Sequence, residues 1–194
     1  MAATYKTPGV YIEEIPKFPP SIAEVETAIP AFIGYTEKAE KNGEPLKDKP
    51  TLVKSIAEFE AYFGKDAPQA ITVTLDANNI VQSVAPSGAV PRFYLYDSIR
   101  MYFDNGGGRC YIVSVGTYTG NQIVLPDLNR GLDKIAKVDE PTLLLSPDAV
   151  SLSGTGLYEF QKKCISQCAD LHDRFTICDI YQANEETPGE TFDE

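Results

Sequence analysis

Apolar residues recur at helical spacing in four stretches of the chain and run together in several shorter ones. Leu95, Ile99, Tyr102 and Phe103 fall at i, i+4, i+7 and i+8, which puts them on one face of a helix within Arg92 to Asp104. Asn105-Gly106-Gly107-Gly108 ends that helix, because glycine takes a left-handed C-cap backbone without a Cβ clash. Cys110 to Val115 is almost wholly apolar or aromatic and suits a strand covered on both faces. A second helix is predicted over Ser55 to Phe63. There Ser55 and Glu58 form a capping box, Ile56, Phe59, Tyr62 and Phe63 form the stripe, and Gly64 is the stop. Leu128, Leu132 and Ile135 place a third helix near Asn129 to Val138. Leu157, Phe160, Cys164, Cys168 and Leu171 mark the longest one, from Leu157 to Leu171.

β-Rich runs fall between these helices. Pro30 to Thr36, Thr142 to Leu145 and Phe175 to Ile180 read as strands, with weaker ones at Ser21 to Thr27 and Asn121 to Leu125. Ile71 to Leu75 and Ile80 to Val84 flank Asp76-Ala77-Asn78-Asn79, a four-residue hairpin loop. Glu37 to Pro50 is polar, contains Asn42-Gly43 and reads as a surface loop. Helix and strand alternate three times after Arg92. The predicted class is therefore α/β (mixed α+β): a layered sandwich with a partly parallel sheet, a β-hairpin insertion and an extended N-terminal strand arm. Residues 1–20 form the arm, 21–183 the domain and 184–194 an acidic tail predicted to fray.

The arm is framed by Pro8, Pro16, Pro19 and Pro20, which exclude a helix, while Val10, Tyr11 and Ile12 favour a strand. Fully stretched, Tyr5 to Ile15 reaches ~35 Å. Such a segment can pair with another chain's sheet edge or pack as a first strand on its own domain. The sequence alone leaves both open. Among 194 residues, 17 basic and 28 acidic ones give a net charge of −11, so no basic stripe exists to bind nucleic acid. No apolar run approaches a membrane span, and the first residues lack the layout of a signal peptide, so synthesis in the cytoplasm is expected. Four cysteines without paired spacing are expected to be reduced thiols.

Candidate chemistry dissolves on inspection. Gly106 to Gly108 stands between a helix and a strand, whereas a phosphate cradle needs strand, loop, helix N-terminus. Cys164, Cys168 and His172, at i, i+4 and i+8, have zinc-ligand chemistry. The apolar stripe through them makes core packing the expectation. Gly154-Thr155-Gly156 precedes the longest helix and matches part of a dinucleotide loop. Glu159 then stands where the third glycine belongs and would repel pyrophosphate. His172 lies between Asp170 and Asp173, but no Gly-x-Ser-x-Gly elbow accompanies it. The paired carboxylates Glu13-Glu14, Asp139-Glu140 and Glu185-Glu186 are adjacent residues whose side chains diverge. No catalytic, metal or cofactor-binding residue is predicted.

Three segments in order carry a resemblance. Thr7-Pro8-Gly9-Val10-Tyr11-Ile12-Glu13-Glu14, Ala31-Phe32-Ile33-Gly34-Tyr35-Thr36 and the aromatic helix running into Asn105-Gly106-Gly107-Gly108 and its following strand resemble contractile tail sheath proteins of phages and related injection machines. Ser55 to Gly64 resembles that family too. The resemblance implies a structural subunit that polymerises with neighbouring copies around an inner tube, meets a baseplate, and contracts to drive the tube through a target envelope. It implies assembly into a phage-like tail or injection particle. It also implies that Pro8, Gly9, Val10, Tyr11, Ile12, Glu13 and Glu14 form an intersubunit strand. Sheath proteins usually continue well beyond this length, so the resemblance implies the N-terminal part of such a protein, a truncated product or a shorter relative. The alternative from another class is a nucleotide-binding α/β enzyme using Gly154-Thr155-Gly156.

Overall fold

The computed structural model describes residues 28–68, 71–86, 92–120, 122–152 and 155–180. The predicted arm, the Ser21 to Thr27 strand and the acidic tail lie outside these residues. At the centre is a five-stranded sheet. Strand β1 (Pro30–Thr36) is followed by two short strands, β2 (Glu40–Lys41) and β3 (Glu44–Pro45), and by β4 (Thr51–Val53). Helix α1 (Ile56–Phe63), the hairpin β5 (Ile71–Leu75) and β6 (Val81–Pro86), and helix α2 (Leu95–Asp104) come next. Then follow β7 (Cys110–Thr117), α3 (Leu125–Ile135), β8 (Leu143–Leu145), α4 (Gly156–Leu171) and β9 (Phe175–Thr176). The order across the sheet is β4-β7-β1-β8-β9. β1 runs parallel to β7 and β8, β8 parallel to β9, and only β4 is antiparallel to its neighbour.

Alternation along the two central strands builds the layers, because successive strand side chains point to opposite faces. Ala31, Ile33 and Tyr35 of β1, with Val113 and Val115 of β7, pack with Leu128, Leu132 and Ile135 of α3 and Leu157, Phe160 and Cys164 of α4. Phe32, Cys110 and Ile112 face the other way, onto Phe59 and Phe63 of α1 and Leu95, Tyr96 and Ile99 of α2. The predicted α/β sandwich with a partly parallel sheet is the observed one, and both β1 and β7 are buried on both faces.

The caps follow the chemistry of the sequence. Ser55 Oγ accepts from the Glu58 N–H at 3.2 Å. The return bond of the capping box goes one residue upstream, from the Lys54 N–H to Glu58 Oε2 at 2.9 Å. Past α2, Gly106 adopts φ +84°, and the Gly107 N–H closes back on the Tyr102 carbonyl at 2.9 Å. The glycine run is a turn. Tyr96 joins the buried face of α2, while Tyr102 and Phe103 pack at its margin.

Four expectations need correction. Asn121 to Leu125 is not a strand: of this stretch, residues 122–124 are irregular and Leu125 opens α3, whose second position is Pro126. Ile123 is buried without ladder pairing, so apolar burial alone explains its chemistry. α3 also starts four residues earlier than predicted, with Pro126 in its first turn, where a fixed φ and a missing N–H cost the helix nothing. The Glu37 to Pro50 loop holds the small β2–β3 hairpin, turning at Asn42 (φ 53°) and Gly43 (φ 81°), and the edge strand β4 begins just after it. β9 ends at Thr176 rather than Ile180. The Ile177 N–H still reaches the Leu144 carbonyl, but the Asp179 carbonyl accepts from the Gln161 side chain at 2.6 Å instead of a strand.

Candidate functional site

Asp148 is wholly buried, and its two oxygens are spent on backbone N–H groups of two separate elements. It sits in the 3-10 turn Pro147–Ser151 that follows β8. Oδ1 accepts from the Tyr94 and Leu95 N–H groups at 2.6 and 3.0 Å, capping α2, which has no side-chain cap of its own. Oδ2 accepts from the Tyr35 N–H at 2.7 Å, beyond the point where β8 stops pairing with β1. A carboxylate at a helix N-terminus also complements the helix dipole. Burial pushes its pKa from 3.8 up to about 6, against the three N–H bonds, which favour the charged form. A Cβ on Gly34 would collide with this carboxylate, so glycine at that position makes room for it. A shifted buried acid is a common mark of catalysis. Here every partner is backbone, and the group works as a clasp between the sheet and α2.

Two arginines act in the same way. Arg130 of α3 bonds Asp127 at 2.8 Å, Asp48 at 2.9 Å and the Val115 carbonyl at 2.9 Å. Tyr35 donates to Asp127 at 2.9 Å and accepts from the Val124 N–H, and burial is the main cause that pushes its hydroxyl up to about 12. Arg174, with its side chain fully buried, is held by Asp173 and donates to the Ile135 and Val138 carbonyls at the end of α3. Each cluster spends its donors within the fold. Sequence reasoning identified neither these nor Asp148, because their partners are mostly backbone groups far away in sequence.

The sequence candidates are scattered. Cys164 is buried in the core, its thiol pushed up to about 12 by burial. Cys168 is half-buried and Leu171 38% exposed, so the predicted stripe is a core face over its first half only. His172 ends α4 in the left-handed conformation, φ 59°. Among the described residues no three His, Cys, Asp or Glu side chains gather as metal ligands. Gly154 falls outside the described residues. At the start of α4, Glu159 accepts the Thr155 hydroxyl at 2.8 Å, a carboxylate where an anion would need free N–H groups. Pro8, Gly9, Val10, Tyr11, Ile12, Glu13 and Glu14 also lie outside the described residues.

What the described residues offer a partner is apolar surface. A groove of about 340 Å³ runs between α2 and the β8–β9 side of the sheet, lined by Phe32, Met101, Tyr102, Leu145 and Ile177 among others. β9 beside it is an edge strand with Phe175 76% exposed. The β5–β6 hairpin forms its own two-stranded sheet, as the sequence predicted, with β6 shifted to Val81–Pro86. Ile71, Val73 and Leu75 alternate onto one face. Val84 and Val81 stand opposite Val73 and Leu75, and all five are 49–61% exposed. Among the described residues no helix is long and apolar enough to cross a membrane.

No protein-family model matches the chain, and no curated protein matches it significantly. Solved structures do. The fold matches a chain of the anti-feeding prophage helical sheath, determined by cryo-EM in its contracted state, with a TM-score of 0.51 and 23% identity over 98% of this chain. A chain of the contracted anti-feeding prophage baseplate matches with a TM-score of 0.49 and 20% identity over 89% of this chain. The likeness covers 44% of the sheath chain and 39% of the baseplate chain, so this chain spans less than half the length of either. At such identity the likeness is one of fold. The chain is sheath-like in its architecture.

Proposed function

We propose that the chain is a structural subunit of a contractile tail sheath, part of an injection particle rather than an enzyme. The observation that carries this is the shared fold, over nearly the whole chain, with a protein that forms a helical sheath. The three sheath-like sequence segments support it independently. Subunits polymerise around an inner tube, end on a baseplate, and contract to drive the tube through a target envelope. A three-layer core clasped by Asp148, Arg130 and Arg174 suits this work, because such a core can rotate as one body while its tethers hold.

The tether in this reading is Pro8 to Glu14, which adds a strand to a neighbour's sheet. Main-chain hydrogen bonds give the affinity, and Val10, Tyr11 and Ile12 supply alternate anchors. The prolines from Pro16 to Pro20 are a semi-rigid spacer that disfavours folding straight back. Deleting residues 1–15 is expected to leave a soluble, folded domain that no longer joins full-length copies. Tyr11→Pro should act likewise, since it removes a ladder donor. Unfolding of the deleted protein in isolation would make the segment an intramolecular strand and remove the tether.

A further inference from the structure

We propose that Cys178 forms a reversible disulfide with the thiol pair of α4, Cys164 and Cys168, and so ties the end of the edge strand to that helix. All four cysteines are free thiols in the structure. Three of them belong to one corner of the fold, where α4 and β9 pack with Cα atoms within 8 Å. Thr176, Ile177 and Asp179 line a small void together with Gln161 and Cys164. Gln161, nearly one turn before Cys164, donates its side-chain amide to the Asp179 carbonyl at 2.6 Å. The backbone on both sides of Cys178 therefore lies against α4. Burial is the main upward push on the Cys164 and Cys168 thiols, and the charge of Cys178 adds to it at both, so its sulfur is in electrostatic range of each.

Cysteine pairs bridge at Cα separations up to ~7 Å. Residues 177–180 are irregular past β9, so the chain there can take up the small shift a bond requires. Exposure divides the labour. Cys178 is exposed, Cys168 half-buried and Cys164 buried, so Cys178 meets an oxidant first. Its thiolate attacks a small-molecule disulfide, whose S–S bond breaks and releases one thiol. A thiolate of α4 then attacks the Cys178 sulfur, forms the protein bond and releases the second thiol. Two cysteines lose two protons and two electrons, and the small disulfide takes them up as two thiols. β9 is joined to the sheet by two pairings only, Leu143 with Phe175 and Leu144 with Thr176, so a covalent tie just beyond it fixes an otherwise lightly held edge.

The test incubates the purified chain with glutathione disulfide and digests it with trypsin without reduction. Cleavage after Lys163 and Arg174 puts both α4 thiols on peptide 164–174 and Cys178 on the peptide that follows. The expected result is the loss of two of the four thiols, with these two peptides joined in a product that keeps the mass of one chain on a non-reducing gel. Dithiothreitol should separate them again. A bond from Cys178 to Cys164 or to Cys168 supports the proposal, since either ties the strand end to the helix. Cys178→Ser should abolish the linked peptide, and the mapping of the wild-type chain stands whether or not that variant folds. The proposal is overturned if Cys178 stops at its mixed disulfide with glutathione, stays a free thiol, or joins a second copy.

Discussion

Replacing Asp148 by alanine strips the acceptor from three N–H groups at once: Tyr35 at 2.7 Å, Tyr94 at 2.6 Å and Leu95 at 3.0 Å. A buried donor left unpaired costs ~1–3 kcal/mol, so the loss is ~3–9 kcal/mol. Against it stands the relief of a carboxylate that burial has pushed from 3.8 to about 6, which corresponds to ~3 kcal/mol at pH 7. The net is a destabilisation of a few kcal/mol at pH 7. The sign of the pH dependence follows. Since the folded pKa is raised, the folded state holds its proton more tightly. The stability linked to that proton is fully present below 3.8 and is lost as pH rises through about 6. Wild type minus variant should therefore grow by ~2 kcal/mol on going from pH 7 to pH 4.5. Urea denaturation of both proteins at the two pH values reads this directly. A variant as stable as wild type at both would refute the clasp. A gap that narrows towards pH 4.5 would show that the N–H bonds outweigh burial and depress the pKa.

Other expectations follow from single contacts. Gly106→Val strains a residue at φ +84°, by ~1–3 kcal/mol, and Gly107→Val drives a Cβ to 2.5 Å from the Tyr102 ring; each should lower the melting temperature. Gly131→Ala gains ~1 kcal/mol of helix propensity, but its Cβ would sit 2.5 Å from Val115 Cγ1 and 2.7 Å from Ile33 Cγ2. Overpacking costs ~1–3 kcal/mol, so calorimetry should find Gly131→Ala neutral to destabilised, never stabilised. Arg174→Ala leaves the Ile135 and Val138 carbonyls without this donor, and denaturant titration should show a loss of ~2–4 kcal/mol. In the native protein a thiol reagent should label exposed Cys178 first. Cys110 and Cys164, buried with thiols pushed up to about 12, should label at the rate of unfolding.

The fold was legible where a residue's neighbours in sequence are also its neighbours in space. Phe59 and Phe63, Leu95 and Ile99, and Leu157, Phe160 and Cys164 declare their helices because a 3.6-residue period is a local property. Ala31 to Tyr35 and Cys110 to Val115 show themselves as central strands because burial on both faces demands unbroken apolarity. β4 was not legible: Thr51-Leu52-Val53 is short, and only its pairing with Cys110 to Ile112 makes it a strand. Gln122-Ile123-Val124 misled because β-branched residues suit any buried extended segment, and Pro126 decides only once α3 is seen to start there. The roles of Asp148 and Arg174 depend on backbone groups 36 to 113 residues away, a relation no local pattern encodes. The hairpin was visible as a hairpin. That Ile71, Val73, Leu75, Val81 and Val84 are 49–61% exposed was not, since alternation looks the same whichever side water occupies.

Polymerisation can be read from negative-stain electron microscopy of the purified 194-residue protein across a wide concentration range. A sheath subunit should give helical tubes of uniform diameter above a threshold concentration, with layer lines that index to a repeating subunit, and this is the expected result. Monomers at every concentration, joined to a melting temperature that rises when a nucleotide is added, would contradict it and return Gly154-Thr155-Gly156 to consideration.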